Sequence, residues 1–285
     1  ESTGVIMAED LMKSMGITSR QDRKNVSNVF ARLIKEGIVV RHGDRNGCYR
    51  IIDKTLEPID FESAAAHYED VKLVFDLHEY VGIAKRNIIP IAGVMNSGKT
   101  AVLLNEVEMN MDKWRDNMHY FSSEMTSSEL RSRLEKFHRQ DLAWWKGCKF
   151  WDRTTNFVDV IQPNAMNFID FLEISDSFYQ IAGLLGAIYN KLEDGICFVA
   201  IQKKQGSEYG RGGEFSAEKA RLYLNIDYQG EGHLRRMKVV KAKNLLKRGA
   251  ENNCNRWVTD FEIEWGSQLF QSAAGWHLPQ KDMTL

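Results

Sequence analysis

The sequence predicts an α/β protein, with a mostly parallel sheet covered by helices and a small helical and hairpin domain in front of it. Two observations support this prediction. Between about residues 87 and 202, short apolar runs alternate with segments of helical periodicity, which is typical of alternating strands and helices. Before residue 56, two helical segments are followed by two short strand segments around a glycine-containing turn.

Length and composition limit the number of domains and the class of protein to which the chain can belong. Its 285 residues, 43 % hydrophobic and 27 % charged, allow one large and one small globular domain. Because the net charge is −1, a nucleic-acid partner needs a local positive surface. We expect a reduced, cytoplasmic protein, since four widely spaced cysteines form no metal-ligand pair and neither a membrane span nor a signal peptide is visible. Glu1 is not a methionine, so we expect a processed or partial chain.

Two helices and a hairpin are the first predicted elements. Residues 8–15 and 20–36 predict helices, each followed by a glycine that ends it. Residues 38–41 and 48–52 predict two strands that flank a glycine-rich turn. Apolar residues at three- and four-residue spacing predict the buried face of the second helix, and these are Val26, Val29, Phe30, Leu33 and Ile34.

This order of elements resembles a winged helix-turn-helix domain, which we place at residues 1–55, with its usual first helix at or before the start of the chain. Such domains place the second helix in the major groove and the wing on the DNA backbone. The resemblance implies contacts with duplex DNA by Lys24, Asn28, Arg32 and Lys35 on the helix and by Arg41, His42 and Arg45 on the wing. The alternative is a solvated polar face on a protein-docking module, since residues 1–57 hold ten Lys and Arg against eight Asp and Glu.

A linker is expected at residues 56–67, which contain Pro58 and a run of small residues. Residues 68–80 are mixed apolar and acidic and predict a helix. An apolar strand follows and ends at Gly93. Within it Pro90 has no N–H to donate to a neighbouring strand, so a local irregularity is expected there.

The stretch Gly93-x-x-x-x-Gly98-Lys99-Thr100 matches the phosphate-binding P-loop residue for residue. Its glycines let backbone N–H groups turn towards a phosphate, and the start of the following helix adds its positive dipole end. Lys99 would reach the β and γ phosphates, and the Thr100 hydroxyl would ligate Mg²⁺. The motif therefore predicts a nucleotide site formed by Gly93, Asn96, Ser97, Gly98, Lys99, Thr100 and Ala101.

Strands and helices continue to alternate after the P-loop. Apolar runs predict strands at residues 119–125, 149–152, 164–170 and 195–202. Helices are predicted at residues 99–111, 127–137 and 177–193, the second opened by a capping box of Thr126 and Glu129. Ligands of such sheets bind at the carboxyl ends of the strands. That is where Gly93, Glu124, Asp170 and Gln202 fall.

Four sequence strings in this order carry a more specific resemblance. The P-loop is followed by Phe-Ser-x-Glu-Met at residues 121–125, by a strand ending in Asp-Phe-Leu at residues 170–172, and by a strand ending in Gln202. Over about residues 70–265 the chain resembles the RecA-type ATPase core. Within that group it most resembles the DnaB-type hexameric helicases of superfamily four. The resemblance implies ATP and Mg²⁺ as cofactors.

The same resemblance gives roles to individual residues. Glu124 would polarise the attacking water, a general-base task, and Asp170 would hold Mg²⁺ directly or through a water molecule. Gln202 would sense the γ-phosphate. The alternatives are that Glu124 is a first-turn helix acid facing the dipole, that Asp170 is a solvated acid at a strand end, and that Gln202 has no special role.

Residues 203–213 are glycine-rich and basic, and they predict a mobile loop. In the helicase family the corresponding loop projects into a central channel. The resemblance implies contacts with single-stranded DNA by Lys203, Lys204 and Arg211, with Tyr209 as a stacking surface. The alternative is an ordinary surface loop.

A strand predicted at residues 233–242 ends in Lys241-Ala-Lys243-Asn244. The family has a Lys-x-Arg-Asn string here, whose two cations reach a neighbouring subunit's γ-phosphate as arginine fingers do. Lys243 stands in the arginine position. It keeps the charge but loses the bidentate fork. The alternative is a pair of edge lysines that discourages aggregation.

The C-terminal segments complete the predicted domain plan. Residues 257–265 alternate apolar and polar side chains and predict a late strand. We place the ATPase domain at residues 68–275 and a loose tail at residues 276–285.

Three functions are open from the sequence. The first is a ring-forming, hexameric ATP-driven helicase or translocase on single-stranded DNA. A winged helix in front argues against it, because DnaB-type helicases usually carry a helical primase-binding domain there. The second is a RecA-like recombination or replication accessory ATPase that assembles on DNA as a slow switch. The third is a winged-helix regulator whose oligomeric state ATP controls.

Overall fold

A computed structural model describes residues 4–56, 58–59, 61–62, 68–137, 141–172, 180–229 and 233–279. The chain divides into two compact units, Glu1–Ala65 and Ala66–Leu285. Much of the predicted linker, namely residues 57, 60 and 63–67, lies outside the described residues. In the described part of the chain no helix is both long and apolar enough to cross a membrane.

The smaller unit contains the predicted helices and hairpin and one further strand. Its elements are β1 (Val5–Met7), α1 (Ala8–Ser14), α2 (Arg20–Lys35), β2 (Val39–Arg41) and β3 (Cys48–Ile51). The three strands form an antiparallel sheet in the order β1-β3-β2. Ser19 begins α2, because its hydroxyl accepts a hydrogen bond from the Asp22 N–H at 3.1 Å. Strand β1 was not predicted, since three residues are too short for a periodic pattern.

The predicted buried face of α2 is only partly buried. Phe30 is 4 % exposed and stacks on Tyr49 with ring centroids 4.1 Å apart. Val29 and Ile34 are 44 % and 36 % exposed. A three-stranded sheet and one seven-residue helix are too small to cover the whole apolar face of α2.

The larger unit is a nine-stranded sheet with helices on both faces. Its helices are α3 (Lys99–Trp114), α4 (Ser127–Leu134) and α5 (Gln180–Lys191). Its strands are β4 (Asn87–Gly93), β5 (Met118–Ser122), β6 (Cys148–Asp152), β7 (Met166–Asp170), β8 (Ile196–Gln202), β9 (Leu222–Tyr228), β10 (Arg235–Ala242), β11 (Val258–Glu264) and β12 (Gln268–Gln271). The order β12-β11-β10-β9-β4-β8-β7-β5-β6 is parallel from β9 to β6 and antiparallel from β12 to β9.

Strand register brings the carboxyl ends of the parallel strands to one edge. Gly93 pairs with Gln202, and Ser122 pairs with Asp170. One apolar cluster contains α3 residues such as Val102 and the other contains α5 residues such as Ile181, so each sheet face is closed by a helix. The predicted α/β class is therefore observed.

Residues 68–80 do not form the predicted helix. The segment is extended apart from a 3₁₀ turn, Val74–Glu79, in which Phe75 and Asp76 have left-handed backbone angles. Two of its backbone N–H groups are satisfied by α3: Lys72 donates to Asn110 Oδ1 at 2.8 Å and Val74 donates to Glu106 Oε1 at 3.1 Å. Buried side chains of α3 thus hold this segment, which we call the α3 strap, in a non-helical form.

Pro90 and the C-terminal tail differ from expectation. Pro90 lies inside a fully buried strand, one residue before β4 begins to pair with β9. The predicted loose tail begins ordered: Trp276 Nε1 donates to Phe75 O at 2.8 Å, and His277 exchanges backbone hydrogen bonds with Val258. An indole that finds both an apolar surface and an acceptor is well fixed. Residues 280–285 lie outside the described part.

Candidate functional site

A cavity of about 500 Å³ opens at the carboxyl edge of the parallel strands. Most of the predicted nucleotide-site and catalytic residues line it, namely Asn96, Gly98, Lys99, Thr100, Ala101, Glu124, Asp170 and Gln202. Gly93, which ends β4, and Ser97 of the following loop do not line it. The structure therefore brings together side chains from four different strand ends, as the strand-end argument predicts.

The loop between β4 and α3 needs its two glycines. Gly98 begins α3 with φ 98°, a left-handed conformation, and a Cβ there would overlap Ile263 of β11. A Cβ on Gly93 would overlap the Ser97 hydroxyl. No side chain caps α3, and its first turn contains no acidic residue. The positive end of the helix dipole therefore faces the cavity, as an anion site requires.

Lys99 folds back over the loop. Its Nζ donates to the carbonyl oxygens of Val94 at 2.9 Å and Gly93 at 3.2 Å. Burial lowers the pKa of Lys99, while the negative charges of Asp170 and Glu124 oppose this shift. Both carbonyls are neutral acceptors, so the ammonium group can exchange them for phosphate oxygens that carry charge.

Asp170 forms the acidic corner of the cavity. It is 4 % exposed, with Oδ1 accepting from the Thr100 hydroxyl at 3.2 Å and Oδ2 from the Tyr120 hydroxyl at 2.7 Å. Burial raises the pKa of Asp170, while these two hydrogen bonds and the charges of Lys99 and Arg133 oppose the shift. A threonine hydroxyl beside a carboxylate is the oxygen donor set that Mg²⁺ takes together with phosphate and water, so these residues fit the metal.

Glu124 lies outside the helix that follows it. The capping box is present: Thr126 Oγ1 accepts from Glu129 N at 3.3 Å, and Glu129 Oε2 accepts from Thr126 N at 2.8 Å. Glu129, not Glu124, is the acid in the first turn of α4. Glu124 instead precedes the cap by two residues and lines the cavity. The helix-acid alternative is therefore excluded.

Gln202 ends β8 beside the P-loop strand. Its backbone C=O accepts from Arg211 N at 2.8 Å, and the next residue, Lys203, donates its N–H to Gly93 O at 3.1 Å. The loop that follows β8 is therefore hydrogen-bonded at its start to β4 and near its end to β8.

Three lining or supporting residues were missed from the sequence. Arg133 of α4 donates to Gly266 O at 2.9 Å, and Arg235 begins β10; both line the cavity. Tyr120 supports Asp170 from the neighbouring strand β5. None of them lies in a local motif. They could be found only from the strand order and from the antiparallel return of β10.

Comparisons with known proteins identify a solved structure with a similar fold. No protein-family model and no curated protein sequence matches the chain. A KaiC-like protein from the hyperthermophilic archaeon Pyrococcus horikoshii OT3 is 14 % identical, and the match covers 72 % of this chain and 99 % of that one with a TM-score of 0.56. The fold is RecA-like. The strands, helices and P-loop of the larger unit thus form a RecA-like core, and at this identity the likeness extends to the fold alone.

Two further solved structures match less well. The RadB recombinase is 11 % identical over 66 % of this chain and 91 % of that one, with a TM-score of 0.48. Another solved ATPase domain is 15 % identical over 67 % of this chain and 86 % of that one, with a TM-score of 0.47. Both scores are below 0.5, so the RecA-like assignment rests on the first comparison and on the sheet itself.

The loop after β8 is not the open, mobile loop that the sequence predicts. Lys203 has a fully buried side chain whose Nζ donates to Asp227 Oδ2 and to Ser207 O, both at 2.6 Å. Lys203 therefore cannot contact DNA as predicted, because its ammonium group is already satisfied within the RecA-like core. Tyr209 packs edge-on against Tyr223 with centroids 5.6 Å apart. Lys204 and Arg211 are exposed.

Lys241 and Lys243 lie far from the cavity of their own chain. Lys243 N donates to Arg221 O at 3.0 Å, five residues before Ile226, which pairs with Gly93. At about 3.3 Å per residue this places Lys243 roughly 17 Å below the level of the P-loop. Lys241 Nζ donates to Ala217 O, and burial, then the charges of Lys243 and Arg221, lower the pKa of Lys241.

The basic residues of the smaller unit divide between two surfaces. A cavity of about 750 Å³ between the helices and the β2–β3 turn is lined by Arg23, Arg41 and Arg45 among others. The predicted contacts on α2 are exposed but do not line this cavity, and they are Lys24, Asn28, Arg32 and Lys35. His42 of the turn is also exposed and outside it.

Proposed function

We propose that the chain is a RecA-like ATPase that binds ATP with Mg²⁺ and hydrolyses it. The observation that carries this proposal is the convergence of Lys99, Thr100, Asp170, Glu124 and Gln202 on one 500 Å³ cavity at the start of α3. Each side chain is of the type that phosphoryl transfer to water needs, and no two come from the same strand end except the P-loop pair.

Each residue of the cavity has its own role in ATP binding or hydrolysis. Lys99 and the N–H groups at the start of α3 bind and orient phosphate oxygens. Thr100 and Asp170 would hold Mg²⁺, which would neutralise charge on the phosphates. Glu124 orients the attacking water and accepts its proton. Gln202, bonded through its backbone to Arg211, is placed to pass the state of the cavity to the loop after β8.

Replacing Lys99 with alanine tests this function directly. We expect Lys99→Ala to weaken MgATP binding about 100-fold, because a charge-assisted hydrogen bond to phosphate is lost. Isothermal titration calorimetry with the full chain measures this. Lys113→Ala is the matched control, since Lys113 lies on the same helix and pairs with Asp70 on the surface at 3.1 Å. Equal affinity of Lys99→Ala and the unmodified chain would show that the loop does not bind phosphate.

We further propose that the active form is a ring, hexameric by its resemblance to DnaB-type helicases, that moves along single-stranded DNA. Lys241 and Lys243 lie too far from their own cavity to act there, so a role on a γ-phosphate would need a neighbouring copy, and this supports an assembly. The alternative is an ATP-controlled switch that assembles on DNA and hydrolyses ATP more slowly. Lys243 favours it, because a lysine lacks the bidentate guanidinium group of an arginine finger.

Mixed assemblies test the trans role of the lysines. Lys241→Ala chains should hydrolyse ATP poorly alone and recover when mixed with Lys99→Ala chains, which supply the missing cation but bind nucleotide about 100-fold more weakly. Steady-state ATPase rates at several mixing ratios measure the recovery. Lys247→Ala, which removes a half-exposed lysine paired with Glu79 at 3.7 Å, is the control for loss of charge alone. A mixture as inactive as its two components would exclude the trans role.

DNA contact is proposed at Lys204 and Arg211 of the RecA-like core and at the helix and turn of the smaller unit, as a winged helix would provide. The exposure of these basic side chains supports the proposal. Binding of fluorescent single-stranded and duplex DNA at rising salt tests it, since phosphate contacts give a negative slope of log K against log salt. Binding to one duplex sequence without any effect on ATP hydrolysis would favour a winged-helix regulator whose oligomeric state ATP controls. No binding at low salt would exclude both DNA roles.

A further inference from the structure

Arg235 is fixed beside the P-loop by contacts on two sides. Its guanidinium carbon lies 5.3 Å from the centre of the Tyr228 ring, and its Nη1 donates to His233 O at 2.6 Å. The Tyr228 hydroxyl in turn donates to Asn96 O at 2.6 Å. Because Tyr228 bridges the arginine and the loop, Arg235 and the P-loop keep a defined separation.

The guanidinium group of Arg235 borders the phosphate cavity. Arg235 lines it beside Asn96 and Gly98, and its Nε lies 3.6 Å from the position that a Gly98 Cβ would take. In the described structure Nε is buried and has no hydrogen-bond partner. A buried guanidinium N–H without an acceptor is unfavourable, and such a group in a cavity is suited to an anionic ligand.

Two arginines line the cavity, Arg133 and Arg235, and of these two only Arg235 has a buried N–H without a partner in the described structure. Glu124 and Asp170 are the lining carboxylates, and Asp170 is already hydrogen-bonded to Thr100 and Tyr120. Arg133 donates to Gly266 O. The neighbouring Arg236 is committed elsewhere, with two hydrogen bonds to Asp260 at 2.7 and 2.8 Å.

We propose that Arg235 binds the phosphate chain of the nucleotide in cis, from the same chain that carries the P-loop. This rests on the proposed function and adds a binding residue to it. A planar guanidinium can give two parallel hydrogen bonds to phosphate oxygens. The chain thereby has a bidentate guanidinium donor in its own cavity, although Lys243 offers no such donor to a neighbouring copy of the chain.

Substitutions of Arg235 separate a binding role from a structural one. We expect Arg235→Gln to weaken MgATP binding by about 10- to 100-fold, the range for loss of a charge-assisted hydrogen bond. Arg235→Lys should recover part of the affinity because it keeps the charge. Arg131→Gln is the matched control: Arg131 is an exposed arginine of α4 that pairs with Glu135 at 2.8 Å and does not line the cavity. Calorimetric titration with MgATP and the melting temperature of each full-length variant are measured together.

The outcomes distinguish this proposal from the proposed function. Wild-type affinity in Arg235→Gln, with weak binding in Lys99→Ala, would overturn the role of Arg235 and leave the ATPase intact. Equal losses in the Gln and Lys variants with a lowered melting temperature would show a structural role and also overturn it. If added Lys99→Ala chains restore ATP binding to Arg235→Gln chains, the arginine acts in trans and the cis assignment fails. No MgATP binding by the unmodified chain overturns both proposals.

Discussion

Glu124→Gln is expected to lower the ATP turnover number by about 100- to 10,000-fold while MgATP still binds. The range is that of a lost general acid–base contribution. Glutamine keeps the shape and can still hydrogen-bond a water molecule, but it cannot accept the proton. Binding should be equal or slightly tighter, because the substitution removes a negative charge from a cavity that holds phosphate. Single-turnover hydrolysis and calorimetric titration of the same preparation separate the two effects.

Glu135→Gln provides the control for this experiment. Glu135 lies just past the end of α4, pairs with Arg131 on the surface and does not line the cavity. Its substitution removes the same charge a short distance away. If Glu124→Gln hydrolyses ATP at the unmodified rate, another group activates the water. A parallel loss of binding and turnover would instead give Glu124 a role in shaping the cavity.

The part of the site that sequence predicts is the part that is local in the chain. The P-loop is contiguous from Gly93 to Thr100, and backbone geometry requires its glycines, so its chemistry is visible without a fold. Glu124, Asp170 and Gln202 are predictable because each follows an apolar run, and parallel strands end at one edge. The capping box was equally local, and in the structure its Glu129 is the acid in the first turn of α4.

The missed residues depend on strand order and direction. Tyr120 reaches Asp170 only because β5 and β7 are neighbours, although 50 residues separate the two side chains in sequence. Arg235 reaches the cavity because β10 runs antiparallel to β9 and so begins where β9 ends. Lys203 looks like a DNA contact in a basic loop, yet burial beside Asp227 satisfies it internally. Composition does not distinguish an exposed lysine from a buried, paired one.

The α3 strap shows a different limit of prediction from sequence. Its residues have a mixed pattern that favours a helix, but Asn110 and Glu106 of α3 offer its N–H groups better-placed acceptors. Tertiary hydrogen bonds therefore override a weak local preference. The same contacts place a carboxyl group, Glu106, entirely inside the core.

We expect the stability of the RecA-like core to fall as pH rises, because Glu106 is buried in it. Burial raises the pKa of Glu106 from 4.5 to about 8, against the opposing hydrogen bond from Val74 N. Below pH 4.5 the folded and unfolded states both hold the proton. Between pH 4.5 and 8 only the folded state keeps it, so stability declines as pH rises through this window. At about 1.4 kcal/mol per pKa unit, the free energy of unfolding decreases by about 5 kcal/mol.

Glu106→Gln is expected to remove this decline, because an amide cannot ionise. Its oxygen can keep the hydrogen bond from Val74, so the α3 strap stays in place. Urea unfolding followed by tryptophan fluorescence between pH 5 and 9 measures the effect on the RecA-like core, since all seven tryptophans lie after residue 68. Asp112→Asn, at an exposed position of the same helix, is the control. At pH 9 the Gln variant should be more stable than the unmodified chain by several kcal/mol. Unfolding free energies that stay parallel from pH 5 to 9 would mean that Glu106 is ionised in contact with water.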